Sequence, residues 1–262
     1  QQCIVLAIRV SGTISPPTSA YLCQGIAKAE AQSAVAVLIE LDTPGGLLDS
    51  TREIIQAMLN SPLPIVVYAS PHGARATSAG AFIMMASDVA AMAPGTHIGA
   101  AHPVALGGGA PGPSKSIQTV SGAGIMEEKS VSDAAAYIRA LAKDRGRNAL
   151  WAENAVRKSE SLTAQEALEI KVIDIMAADR NQLMASIDGR RISKNGKVLT
   201  LRVKDAPIED LPMTLFQSIL QILANPNLAY LFLMLGFYGP IYEFSSPGIG
   251  FGAVVGIMSL IL

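Results

Sequence analysis

The chain has 262 residues, enough for one large domain or a medium domain with an appendage. Twenty Lys and Arg against 21 Asp and Glu leave a net charge of −1, which removes the electrostatic case for nucleic acid as a partner. Apolar residues at 50%, charged ones at 16% and only two cysteines exclude a disordered chain and a disulfide scaffold.

In chain order, residues 3–14 are rich in Ile and Val and predict a strand ending at Ser15-Pro16-Pro17. Residues 21–31 have helical spacing, and 35–41 (VAVLIEL) form a short apolar run bounded by the turn residues 42–46, a buried strand. A helix over 49–59 follows, with Asp49 or Ser50 as N-cap, then a strand over 64–69, a helix over 77–86 and a short strand over 89–93. This alternation predicts parallel strands buried on both faces by helices. Residues 104–125 hold six Gly, two Pro and three Ser in 22 positions and predict a long loop, either functional or disordered. Helical spacing returns over 132–143, ending before Gly146, and Thr163-Ala-Gln-Glu166 predicts a capping box ahead of a last short strand over 172–176. Residues 188–204 carry six basic residues and one acid around Asn195-Gly196, a strand–turn–strand expected to be solvated. A minority reading turns that basic face towards anionic lipid. Cys3 and Cys23 lack metal-ligand spacing and are expected as small core residues; no metal and no cofactor is expected.

The missing charge is concentrated at one end. Residues 211–262 contain one formal charge, Glu243, in 52 positions. Residues 213–223 (MTLFQSILQIL) have the pattern of a helix lying in a membrane interface. Residues 225–242 are 18 uncharged positions, close to the roughly 20 a helix needs to cross the hydrocarbon core. The run 248–262 is still apolar at its last residue, so the chain is expected to be truncated before further spans. A buried helical hairpin is the competing reading. The expected domains are therefore an α/β catalytic domain over 1–187, the basic strand–turn–strand and linker over 188–210, and a hydrophobic helical membrane segment over 211–262.

Three features fall near strand ends, where open α/β sheets place their sites. Asp42-Thr43-Pro44-Gly45-Gly46 lets backbone N–H groups approach a developing negative charge. Thr77-Ser78-Ala79-Gly80 puts a serine at a strand-to-helix bend with small neighbours, the setting of an accessible nucleophile without the GxSxG string. The third feature is a base, and two compete. Lys129 opens an alanine-rich helix, and a lysine can deprotonate serine only when surroundings keep it neutral well below its free pKa of about 10.4. His102 follows Ser78 by 24 residues and needs less tuning, its free pKa being about 6.5.

Taken together, LDTPGG, ATSAGAFIMMASDVAAMAPGTHIGAAHPV, KSVSDAAAYIRALA, GRN and SLTAQEALEIKVID resemble the N-terminal protease domain of NfeD-type membrane proteins, within the ClpP/crotonase superfamily. The resemblance covers residues 4–178. It implies layered parallel sheets with covering helices and a serine endopeptidase with Ser78 as nucleophile and Lys129 as base. The oxyanion donors it implies are a glycine of Gly45-Gly46 and the backbone of Ala79. It further implies an apolar peptide substrate from a stomatin-like membrane protein, membrane lipid as a partner, a homodimer and an extracytoplasmic catalytic domain. A Ser78–His102 pair remains the alternative within the same chemistry. A non-catalytic membrane scaffold and a crotonase-type acyl-CoA enzyme are the readings from other classes.

Overall fold

The computed structural model describes residues 4–103, 122–224, 226–245, 256 and 258–259. The chain divides into two compact units, Gln1–Pro212 and Met213–Leu262. The first is built on a parallel sheet of β1 (Val5–Ser11), β2 (Ala36–Asp42), β3 (Ile65–Ala69), β5 (Val89–Met92), β8 (Ile175–Met176) and β11 (Ile208–Leu211). The strand order is β11-β1-β2-β3-β5-β8, and every neighbouring pair is parallel. The layered α/β architecture expected from the alternation is therefore present.

Alternate residues of these strands face two different covers. Leu6, Ile8, Val37, Ile39, Ile65 and Val67 are fully buried on one side, where α1 (Pro16–Ala31) contributes Leu22 and Ile26, and α2 (Leu48–Asn60) contributes Ile54, Ile55 and Met58. On the other side Val5, Ala7, Leu38, Val66, Tyr68 and Ala91 join a cluster with Leu183, Met184 and Ile187 of α7 (Arg180–Ile187), and with Ile192, Leu201 and Val203. Each fully buried aliphatic side chain contributes roughly 1.5–3 kcal/mol. Burial on both faces explains why these strands read as unbroken apolar runs.

A second sheet of β4 (Arg75–Thr77), β6 (His97–Gly99) and β7 (Ser161–Thr163) stands beside α3 (Ala79–Ala86). The remaining helices of this unit are α4 (Gly122–Asp144), α5 (Ala149–Arg157) and α6 (Ala164–Glu169). The capping box at Thr163 and Glu166 is formed in both directions. Several boundaries differ from expectation. Helix α1 begins at Pro16 because proline's fixed φ suits the first helical turn. Helix α2 takes Leu47, not Asp49 or Ser50, as its N-cap position, since the preceding loop is already held by Leu47 N–H donating to the Ile14 carbonyl at 2.9 Å. Helix α4 reaches back to Gly122, into the stretch expected as loop; residues 104–121 of that stretch lie outside the described residues.

Residues 188–210, expected as a solvated hairpin and linker, are packed into the first unit. Strands β9 (Arg191–Lys194) and β10 (Lys197–Thr200) pair antiparallel about Asn195-Gly196, and β11 extends the main sheet beside β1. Their charges turn partly inward. Buried Lys194 Nζ donates to Asp88 Oδ2 at 2.6 Å and to the Met58 carbonyl at 2.9 Å. Arg180 grips Glu40 (2.6 and 2.7 Å) and Asp210 (2.6 and 3.1 Å), tying α7, β2 and β11 together. Burial alone would push the Glu40 carboxyl up, but hydrogen bonds from Arg180 and Arg9 outweigh it and hold Glu40 below its ordinary value. Cys23 is a free thiol, half-buried on α1 rather than in the core; Cys3 lies outside the described residues.

The second unit contains α8 (Leu215–Leu223) and α9 (Pro226–Ser245). Thr214 and Gln217 form a capping box at the start of α8. The helix exposes Leu215, Phe216, Ile219, Leu220 and Ile222, and α9 exposes Leu231, Leu233, Met234, Leu235 and Phe237. The expected membrane span is not met among the described residues: no helix there is long and apolar enough to cross a membrane. Tyr230, Tyr238 and the proline- and glycine-bearing end of α9 lower its hydropathy. The second apolar run, 248–262, lies almost wholly outside the described residues.

Candidate active site

Ser78 sits between β4 and α3 in a conformation that L-residues seldom adopt, φ 53° and ψ −115°. Its N–H donates to the Gly99 carbonyl at 2.9 Å, fixing the bend against β6. Gly99 can pass this close to β7 only without a side chain, since a Cβ there would stand 2.2 Å from the Glu160 carbonyl oxygen. Small neighbours serve the same end on the helix side. A Cβ on Gly80 would lie 2.7 Å from Thr43 Cγ2.

The loop opposite Ser78 is held from two directions. Thr43 N–H donates to the Arg75 carbonyl at 2.7 Å, and Thr77 N–H to the Thr43 carbonyl at 3.2 Å. Ile14 N–H donates to the Gly45 carbonyl at 2.8 Å. Gly45 has φ +122°, and a Cβ on it would meet Ser78 Cβ at 2.5 Å and Oγ at 2.9 Å, so this backbone lies directly against the serine. A Cβ on Gly46 would lie 2.0 Å from the Ile14 carbonyl oxygen. The two glycines differ in one chemical respect. The Gly45 N–H is engaged with Thr43 Oγ1 at 3.0 Å, whereas the Gly46 N–H has no partner among the described residues. Ala79 opens α3, so its N–H is one of the donors that a helix cannot satisfy internally.

Ser78, Gly45 and Ala79 are thus brought together, with Gly46 next in the same loop and packed against Ile14. The two candidate bases are not within hydrogen-bond distance of Ser78, whose Oγ has no hydrogen-bond partner among the described residues. His102 Nδ1 lies 2.9 Å from the Val156 carbonyl at the end of α5; that oxygen only accepts, so Nδ1 carries a proton and, in the neutral ring, Nε2 is the acceptor. Lys129 is exposed near the start of α4, so the alanine-rich helix does not enclose it in the apolar surroundings expected for a base. Asp133 and Tyr137 follow it at four-residue intervals on one face of α4. Asp133 pairs with Arg52 of α2, and Tyr137 lies 6.0 Å, ring to ring, from Phe82 of α3.

The far end of α3 is fixed by a residue to which the sequence reading gave no role. Buried Arg147 donates to the carbonyls of Met84, Met85 and Ser87, each at 3.0 Å, and to Asp174 at 2.7 Å. Met85 carries one of the carbonyls that a helix end leaves unpaired; the Met84 carbonyl also accepts from the Ser87 N–H and hydroxyl, and Ser87 is the C-cap. A lone arginine in Gly146-Arg147-Asn148 gives no sign of this, because its partners lie some sixty positions earlier. A separate cleft of about 520 Å³ at the carboxyl ends of β1–β3 is lined by Arg9, Glu40, Asp42, Tyr68, His72 and Arg180 and does not include Ser78. Burial of Tyr68, whose hydroxyl donates to the Ala177 carbonyl at 2.8 Å, pushes its pKa up to about 12. Among the described residues no group of three or more His, Cys, Asp or Glu side chains is arranged to hold a metal ion.

The chain belongs to the family described as NfeD1b, N-terminal domain, whose model matches residues 4–210. It is 36% identical over 262 residues to Membrane-bound protease PH1510 of Pyrococcus horikoshii, covering 99% of this chain and 57% of that protein. The chain therefore spans little more than half the length of that relative. Among solved structures, it is similar to 1510-N membrane-bound stomatin-specific protease with a lysine replaced by alanine, in complex with a substrate peptide. That match has a TM-score of 0.74 and 34% identity, and covers 85% of this chain and 98% of that one. The same protease with a serine replaced by alanine matches with a TM-score of 0.73 and 35% identity, over 82% of this chain and 100% of that one.

Proposed function

We propose that this chain carries the catalytic part of a membrane-attached serine endopeptidase that cleaves apolar segments of stomatin-like membrane proteins. The observation that carries the reading is the Ser78 bend: a strained serine with a free hydroxyl, facing a glycine loop that presents one unengaged N–H. The substrate class comes from the relatives, one named membrane-bound protease and two solved as a stomatin-specific protease.

In the proposed mechanism Lys129 takes the proton from Ser78 Oγ as that oxygen attacks the peptide carbonyl. The N–H groups of Gly46 and Ala79 receive the oxyanion; loss of one such donor typically costs about 10²–10³ in turnover. The lysine returns its proton to the departing amine, and water then resolves the acyl-enzyme through the same base. Gly46 is preferred to Gly45 as donor because the Gly45 N–H already serves Thr43 Oγ1. Support for Lys129 comes from its position one turn before Asp133, on the face of α4 that meets α2 and α3. His102 is the second reading, favoured by a tautomer that leaves Nε2 as an acceptor.

Attachment to the bilayer is assigned to residues 213–262. The charge-free apolar face of α8 is suited to lie in the interface, with lipid as its partner. The protease domain, expected over residues 1–187, is taken to run to 212 because β11 belongs to its main sheet; a homodimer placed outside the cytoplasm rests on the family resemblance alone. The test is a set of single substitutions assayed on an apolar peptide, with a fluorophosphonate as a probe for the nucleophile. Ser78→Ala is expected to abolish turnover and labelling, and Lys129→Ala to abolish turnover. Loss in His102→Ala with retention in Lys129→Ala moves the base to histidine. Turnover retained in Ser78→Ala ends the protease reading.

A further inference from the structure

Helix α4 has no buried anchor near Lys129 among its described side chains. Among the described side chains of residues 126–133 none is buried, and the buried series of this helix begins only at Ala134, Ala135 and Ile138. The fixings nearest the lysine come from another helix. Arg52, one turn into α2, pairs with Asp133, and its guanidinium carbon lies 5.6 Å from the centre of the Tyr137 ring. Tyr137 in turn meets Phe82, which stands one turn after Ser78 on α3.

We propose that Arg52 is a positioning residue for Lys129: it clamps the turn of α4 that follows the lysine and, through Tyr137 and Phe82, ties that turn to the helix that begins at Ser78. The inference rests on the Ser78–Lys129 reading. A second consequence follows from chemistry at four-residue spacing. Asp133 is the i,i+4 partner open to Lys129, and such a pair would compete with the serine for the amine. Arg52 occupies that carboxylate instead, and Lys129 has no ion pair among the described residues. Salt bridges between exposed groups add little stability, so the clamp acts on geometry more than on folding. The Arg52 side chain is 40% exposed.

The test uses the whole chain and an apolar peptide, with kcat and KM measured separately and melting temperature as the folding control. Arg52→Met keeps the aliphatic stem and removes both the ion pair and the cation–ring contact. It is expected to lower kcat roughly ten- to a hundredfold, the cost of a small misplacement of a catalytic group. KM is expected to stay near wild type, and fluorophosphonate labelling of Ser78 to slow together with kcat. Arg52→Lys should recover part of the loss, and Tyr137→Phe, which keeps the ring, should behave as wild type while Tyr137→Ala follows Arg52→Met. If Arg52→Met leaves kcat unchanged while Lys129→Ala abolishes it, the clamp is wrong and the dyad stands. If Lys129→Ala is itself fully active, the dyad fails and the clamp with it.

Discussion

Ser78 illustrates how a single residue can set function against stability. A non-glycine residue held outside the common φ/ψ regions costs on the order of 1–3 kcal/mol, retained only where the surroundings over-determine it. Ser78→Gly is therefore expected to abolish turnover while melting at or above the wild-type temperature; a lower melting temperature would show that the bend is not strained. Gly45 gives the converse case. Gly45→Ala forces a Cβ into Ser78 at a φ of +122° and should both destabilise the protein and suppress labelling of Ser78. At this scale the serine bend and the glycine loop beside it were legible in the sequence as small residues at strand ends, although most serines at such bends are only helix caps. The choice between the glycines was not, since it turns on a hydrogen bond from Gly45 to the Thr43 hydroxyl.

Helix α3 is short and is positioned at both ends, by the Gly99 carbonyl before it and by Arg147 behind it. Arg147→Met is expected to destabilise the fold by about 3–5 kcal/mol, as removal of one partner from a buried charged network does. Urea unfolding would measure it, and a loss below about 1 kcal/mol would contradict the assignment. Acid should act on the same network. Burial alone raises the Asp174 pKa, but Arg147, the Ala90 N–H and Arg190 more than offset this, so the folded value lies below the ordinary one. Its contribution to stability is therefore complete above the unfolded value of about 3.9 and is lost as pH falls through the depressed value. Asp174→Asn should flatten that acid limb of the stability curve. Helices α5 and α7 and the short strands β4, β6 and β7 were not anticipated. Three-residue strands carry no readable period, and their pairing depends on residues far apart in the chain.

For the whole molecule, the concentration of charge before residue 211 and its near absence after it is the dominant pattern. The exposed apolar face of α8 predicts co-sedimentation with lipid vesicles, reduced strongly by Phe216→Glu and Ile219→Glu together; unchanged sedimentation would remove α8 from the attachment. The alternation of buried strands with helices, the serine bend and the glycine loop were determined by the sequence alone, because burial on both faces and close backbone approach each restrict which residues can stand there. Tertiary structure alone decided that β11, with its acidic Ile-Glu-Asp-Leu pattern, joins the main sheet, and that Lys194 and Arg147 turn inward. These outcomes depend on partners brought together across many residues, and a local pattern of charge does not reveal whether its counter-charge is water or a buried carboxylate.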